Sequence, residues 1–148
     1  MNYSLLDKAY KHCVNNGYRY TEPRERVLKI LVTENKPLGA YEILEKLSQE
    51  VKNPKPQTVY RAIQFWHEEG FIHCIDSLKS YVVCLHEHHV GQTQFLICNH
   101  CDFVQELDCA TDINPAYSAA NQIEFSISNI TIEIKGLCKG CGLADLNS

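Results

Sequence analysis

The chain has 148 residues, 45% of them hydrophobic, a formal net charge of −4 and eight cysteines. That length buries a real core, as one domain or as two of roughly 60 to 80 residues, and no run of about 18 apolar residues is present to span a bilayer. The start, MNYSLLDKAY, carries Asp7 and lacks the basic and apolar stretches of a secretory signal, so a cytoplasmic address with reduced thiols is expected and a disulfide framework is the alternative.

Four helical patterns fill the first 70 residues. Ser4 with Asp7 reads as a capping box ahead of Leu5, Leu6, Ala9, Tyr10, Cys13 and Val14 at helical spacing, with Gly17 as the stop. Cys13 falls in the apolar stripe and is expected to be core. Thr21 and Pro23 open a second helix whose inner side is Val27, Leu28, Ile30 and Leu31. After Pro37 and Gly39 comes a third with Tyr41, Ile43, Leu44 and Leu47, and NPKPQ separates it from a fourth, where Val59, Ala62, Ile63 and Trp66 share a face and Gly70 ends the run.

The period then changes. FIHCI and SYVVCL, joined by DSLKS, predict a hairpin, and short helices followed by a β-ribbon predict a winged-helix DNA-binding domain over residues 1–84. LHEHHVGQ is polar and is read as a hinge over 85–92. Residues 93–148 predict a small α+β domain: strands in TQFLIC, DFVQEL and NITIEIKGL, a helix over Asn114 to Gln122, and Ile130, Ile132 and Ile134 facing opposite to Thr131, Glu133 and Lys135. The fold class expected is therefore α+β. Residues 1–70 hold eleven Lys/Arg against nine Asp/Glu, and residues 71–148 three against nine, so the positive field sits in the helical half.

A domain of about 55 residues lacks core for comfort, and its cysteines provide a staple. Cys98-x-x-Cys101 and Cys138-x-x-Cys141 are two knuckles at strand ends, with Gly140 and Gly142 expected to let the second one bend. Four thiolates satisfy one tetrahedral Zn²⁺ and leave no position open for chemistry, so the site reads as structural. Cys109 has no pair and reads as a buried or idle thiol.

The histidines need another explanation. His73 and Cys84 flank the hairpin, His86, His88 and His89 follow in the hinge, and Glu106 lies on the strand after the first knuckle. His73, Cys84, one hinge histidine and Glu106 form a four-coordinate set suited to zinc, drawn from both domains and the joint between them. An ion held there would set the interdomain angle. The same set with an open position and Glu106 as general base would be a zinc enzyme, but nothing like H-E-x-x-H supports that. His12, His67 and His100 fit no constellation.

TEPRERVL, AYEILEKL, PQTVYRAIQFWHEEGFI, FLICNHC and GLCKGC together resemble the ferric uptake regulator family of bacterial metal-dependent repressors. Within it, GFIHCIDSLKSYVVC is most similar to the zinc uptake regulator branch, placing His73 and Cys84 where that branch has its sensing His and Cys. The resemblance implies a homodimer, a dimerisation role for residues 93–148, two zinc ions per chain, and zinc-dependent repression of zinc-acquisition genes at palindromic operators on double-stranded DNA. It implies neither a catalytic residue nor a small-molecule substrate. HEHHVGQTQ departs from the family's H-H-x-H run, so His89 is favoured as the hinge ligand and His88 is the alternative; the last strand lacks the His of iron-sensing members, which weakens an iron, manganese or peroxide reading.

With α-helical recognition expected, Gln57, Thr58, Tyr60 and Arg61 occupy the first turns of the fourth helix, where base edges are met. Tyr60 and Arg61 are expected to face out while Val59 and Ala62 face in. Tyr41, Lys55 and Arg24 are expected on the phosphate backbone, with Lys79 of the wing touching a further phosphate.

Overall fold

The computed structural model of the chain describes residues 3–85, 92–107 and 115–146. It divides into two compact units, Met1–Cys84 and Leu85–Ser148. Among the described residues no helix is long and apolar enough to cross a membrane.

The first unit holds α1 (Tyr3–Asn16), α2 (Glu22–Glu34), α3 (Ala40–Ser48) and α4 (Pro56–Glu68), then the antiparallel pair β1 (Ile72–Ile75) and β2 (Ser80–Val83). Local chemistry sets most of these boundaries. Thr21 adopts extended angles and its hydroxyl accepts the Arg24 N–H at 3.4 Å, capping α2, and Asn35 closes that helix in the left-handed region at φ 48°. The Gly39 N–H donates to the Glu42 carboxylate at 3.1 Å at the start of α3. Pro56 opens α4 with its φ already helical, and Gly70 turns the chain out at φ 79°. One expectation fails at the other end: Ser4 lies inside α1, which already includes Tyr3, so Ser4 and Asp7 do not form the cap of this helix.

The stripes read from the sequence face one another. Cys13, Val27, Leu28, Leu31, Ile43, Val59, Trp66 and Ile72 are buried in one core, Cys13 among them as plain packing. Leu38 adds a contact with no sequence signature, exchanging backbone hydrogen bonds with Tyr81 at 3.1 and 2.8 Å and so tying the loop before α3 to the wing.

The second unit is a three-stranded sheet of order β4-β3-β5 from β3 (Gln92–Cys98), β4 (Val104–Leu107) and β5 (Ile130–Gly136), with α5 (Pro115–Gln122) in the crossover and α6 (Lys139–Leu146) at the end. β3 starts at Gln92, the last residue of the expected hinge. β4 runs antiparallel to β3 and β5 parallel, as a connection long enough to hold a helix permits. Among the described residues of this unit Phe95, Ile97, Cys98 and Ala120 are buried, while Phe103, Ile123, Phe125 and Leu137 are exposed. The predicted alternation holds for Ile130 and Ile132, which are half-buried, but Ile134 is 40% exposed. α6 was not expected, and Gly140 and Gly142 lie inside it without positive φ rather than bending a turn.

Candidate metal centre and nucleic-acid interface

Strand register builds the first cluster. In the parallel β3–β5 pairing Cys98 sits opposite Gly136, which brings the loop after β3 alongside the loop after β5 and so places two sequence-distant knuckles together. The thiols of Cys98, Cys101, Cys138 and Cys141 all lie within 4.8 Å of one another. A tetrahedral ion with Zn–S bonds of about 2.3 Å demands sulfurs about 3.8 Å apart; Cys101 and Cys138 stand at 3.7 Å. The described cysteines are all free thiols, so the disulfide alternative finds no bond among them. The donor set and its spacing fit zinc.

Backbone N–H groups surround the sulfurs. Cys98 Sγ accepts from Cys138 N–H at 3.4 Å and from His100 N–H at 3.5 Å, and Cys101 Sγ from Phe103 N–H at 3.4 Å. The Cys138 N–H above all, with that of His100, lowers the Cys98 thiol to about 6. Thiol hydrogen bonds from Cys138, Cys98 and Cys101 push Cys141 up to about 12. At Cys101 the Phe103 N–H favours the anion, but the neighbouring thiols and desolvation outweigh it and the thiol is raised. Without a cation the cluster thus lowers one thiol, Cys98, and raises two, Cys101 and Cys141, so its sulfurs are not readily charged together. A divalent ion removes that conflict.

The hairpin brings a second pair together. His73 pairs with Val82 across the ladder, so its side chain shares a face with that of Cys84, two residues further along, and their ligating atoms lie within 4.8 Å. The Cys84 N–H donates to Phe71 O at 2.8 Å, fixing the strand end on which the thiol stands. Glu106 is buried on β4 opposite Phe95 in the second unit, and its carboxylate accepts the Leu85 N–H at 3.4 Å. His88, His89 and Cys109 lie outside the described residues.

On α4 the split face appears as expected: Val59 and Ala62 are buried, while Gln57, Tyr60 and Arg61 are exposed and Thr58 is half-buried. Tyr41 in the first turn of α3 is 77% exposed, and Lys55 just before α4 is exposed too. Lys79 is exposed in the wing turn at φ 47°. Arg24 is different. It is half-buried, its guanidinium donates to Arg19 O at 2.6 Å, and it lies 3.6 Å from the centre of the Phe65 ring.

His12, His67 and His100 are packing or surface groups, as expected: His12 joins Glu69 at 2.7 Å and meets Phe71 edge-on, and His67 and His100 are exposed, while His86 lies outside the described residues. Sequence reasoning missed the N–H donors to the knuckle sulfurs. They are backbone groups of His100, Phe103 and Cys138, and no side chain announces them.

The model of the ferric uptake regulator family matches residues 15–135. The zinc uptake regulation protein of Escherichia coli (strain K12) is 34% identical over 139 residues, which is 93% of this chain and 81% of the relative. Among solved structures, a zinc uptake regulator complexed with zinc and DNA matches with a TM-score of 0.89 at 30% identity, over 97% of this chain and 96% of that one. Holo XcZur matches with a TM-score of 0.83 at 31% identity, over 95% and 98%. A family model over most of the chain and a relative 34% identical over 93% of it agree, and the chain belongs to the ferric uptake regulator family.

Proposed function

We propose that the chain is a zinc-responsive, DNA-binding transcriptional repressor of zinc-uptake genes, acting in the cytoplasm as a homodimer on a palindromic operator. Two ions per chain belong to this reading. Cys98, Cys101, Cys138 and Cys141 hold a structural ion; His73, Cys84, Glu106 and His89, or His88 in its place, hold a regulatory one. The observation that carries it is the ligand pair His73 and Cys84, within 4.8 Å on the hairpin that directly follows the outward-facing Tyr60 and Arg61 of α4. Support for Glu106 comes from its burial and from its bond to Leu85, the residue bonded to Cys84 in the chain.

Each residue then has a task. Gln57, Thr58, Tyr60 and Arg61 meet base edges, and Tyr41, Lys55 and Lys79 meet phosphates, whose contacts set register but carry no sequence information. Bound zinc would supply a charge that the ligand set answers with a thiolate and a carboxylate. A ligand set drawn from both sides of the 85–92 hinge couples occupancy to the spacing of two α4 helices in a dimer, and couplings of about 1–3 kcal/mol change affinity roughly 5- to 150-fold. A thiolate ligand favours zinc over manganese. Membership of a family of regulators removes the ground for the zinc-enzyme alternative.

The test is a zinc count on the purified chain and on a His73→Ala, Cys84→Ala variant, with binding of each to the operator. Two ions per chain falling to one, with the fold kept and DNA affinity lost, is the expected result. Two ions retained in the variant refute the site.

A further inference from the structure

Reading an operator with α4 requires that the helix be held at a constant angle, and the clamp on its C-terminal half includes an unexpected cation. Arg24, in the first turn of α2, is tied at several points. Its N–H bonds to Thr21 Oγ1 at 3.4 Å, its carbonyl accepts the Trp66 indole N–H at 2.8 Å, and its guanidinium donates to Arg19 O at 2.6 Å while lying 3.6 Å over Phe65. Phe65 and Trp66 are both buried residues of α4. Tyr18 meets Phe65 edge-on at 5.4 Å and Tyr20 meets Trp66 at 6.2 Å, so the segment leading into α2 encloses the same two rings. A planar cation against an aromatic face is held by the ring's negative potential, a fit that lysine does not reproduce.

We infer that Arg24 is a positioning residue for operator binding, which orients α4 through Phe65 and Trp66 instead of touching phosphate. The inference rests on the operator reading above. Phosphate contact and positioning leave different traces in salt dependence, because each lost phosphate contact lowers the slope of log K against log salt by about 0.9, whereas a tilted helix weakens binding without releasing fewer ions.

The experiment uses the zinc-loaded full chain and a palindromic duplex selected by it from random-sequence DNA, titrated from low to high salt. Arg24→Ala is expected to bind roughly 3- to 10-fold more weakly with the slope unchanged, the scale of a partly desolvated cation–π contact. Arg24→Lys is expected to recover little of this although it keeps the charge. Phe65→Leu is expected to weaken binding similarly, and the double variant to be no weaker than either single one, since both act through one contact. The indole N–H of Trp66, the chain's single tryptophan, is expected to exchange faster in Arg24→Ala. A slope reduced by about 0.9, additive losses, or unaltered affinity overturns the inference alone. Failure of the wild-type chain to select or bind any duplex overturns the operator reading, and this inference with it.

Discussion

The N–H of Cys138 donates to the sulfur of Cys98 at 3.4 Å, joining the second knuckle to the first. That bond is the largest reason why Cys98 ionises near 6 while an ordinary thiol does so at 9.0. Its pH consequence has a definite sign. Between about 6 and 9 the folded chain carries the Cys98 thiolate and the unfolded chain a thiol, so the unfolded state binds more protons and stability rises with pH. Above 9 the order reverses at Cys141, which stays protonated in the fold up to about 12. Zinc-free protein is therefore expected to gain thermal stability from pH 6 to 9 and lose it beyond. Melting curves across that range check this, and a Cys98→Ser variant with the same rise would contradict it.

Replacing Glu106 by Gln keeps the shape and removes the negative charge from a buried position on β4. The regulatory ion should then bind more than about 10-fold more weakly, a loss that even outer partners of metal ligands cause, with the four-cysteine ion retained. Competition titration with a zinc chelator reads both sites. Equal weakening of both would sink the assignment of Glu106.

Arg61 and Lys79 are both exposed but are expected to fail differently. Arg61→Ala should cost about 1–3 kcal/mol and relax the preference at one operator position, because a base contact is lost. Lys79→Ala should weaken binding evenly across sequences and lower the salt slope by about 0.9. Binding to single-base variants of the operator at two salt concentrations separates the two, and an even loss for Arg61→Ala counts against base reading by that residue.

Gly70 ends α4 at φ 79°, and a methyl group added there would meet nothing within 4 Å. The cost of Gly70→Ala is therefore backbone strain alone, about 1–2 kcal/mol. In a unit of this size each kcal/mol lowers the melting temperature by about 4–8 °C. Gly70→Asn is expected to lose less, since Asn tolerates left-handed angles. Equal melting of wild type and Gly70→Ala would show that the turn relaxes.

Some of this protein was written in short stretches of chain. Thr21, Pro56 and Gly70 act on helix ends through bonds and angles a few residues away, the outward turn of Tyr60 and Arg61 follows from helical period, and paired C-x-x-C turns mark out thiols able to gather without help from distant residues. Rules of that reach make the α+β order, the four-cysteine cluster and the exposed face of α4 legible. Tertiary structure decided the rest. The glycines of KGCGLADL suggest a turn, yet α6 forms there and the Gly142 N–H reaches Cys138 O at 2.9 Å, beside sulfurs that must gather. The register of Cys98 against Gly136 and the bridge from Leu38 to Tyr81 depend on which strands meet. Arg24 looks like any exposed cation of a helix start until Phe65 and Trp66 arrive from α4. The register, the bridge and the Arg24 contacts each join segments far apart in the chain, where packing chooses the partner and local propensity is silent.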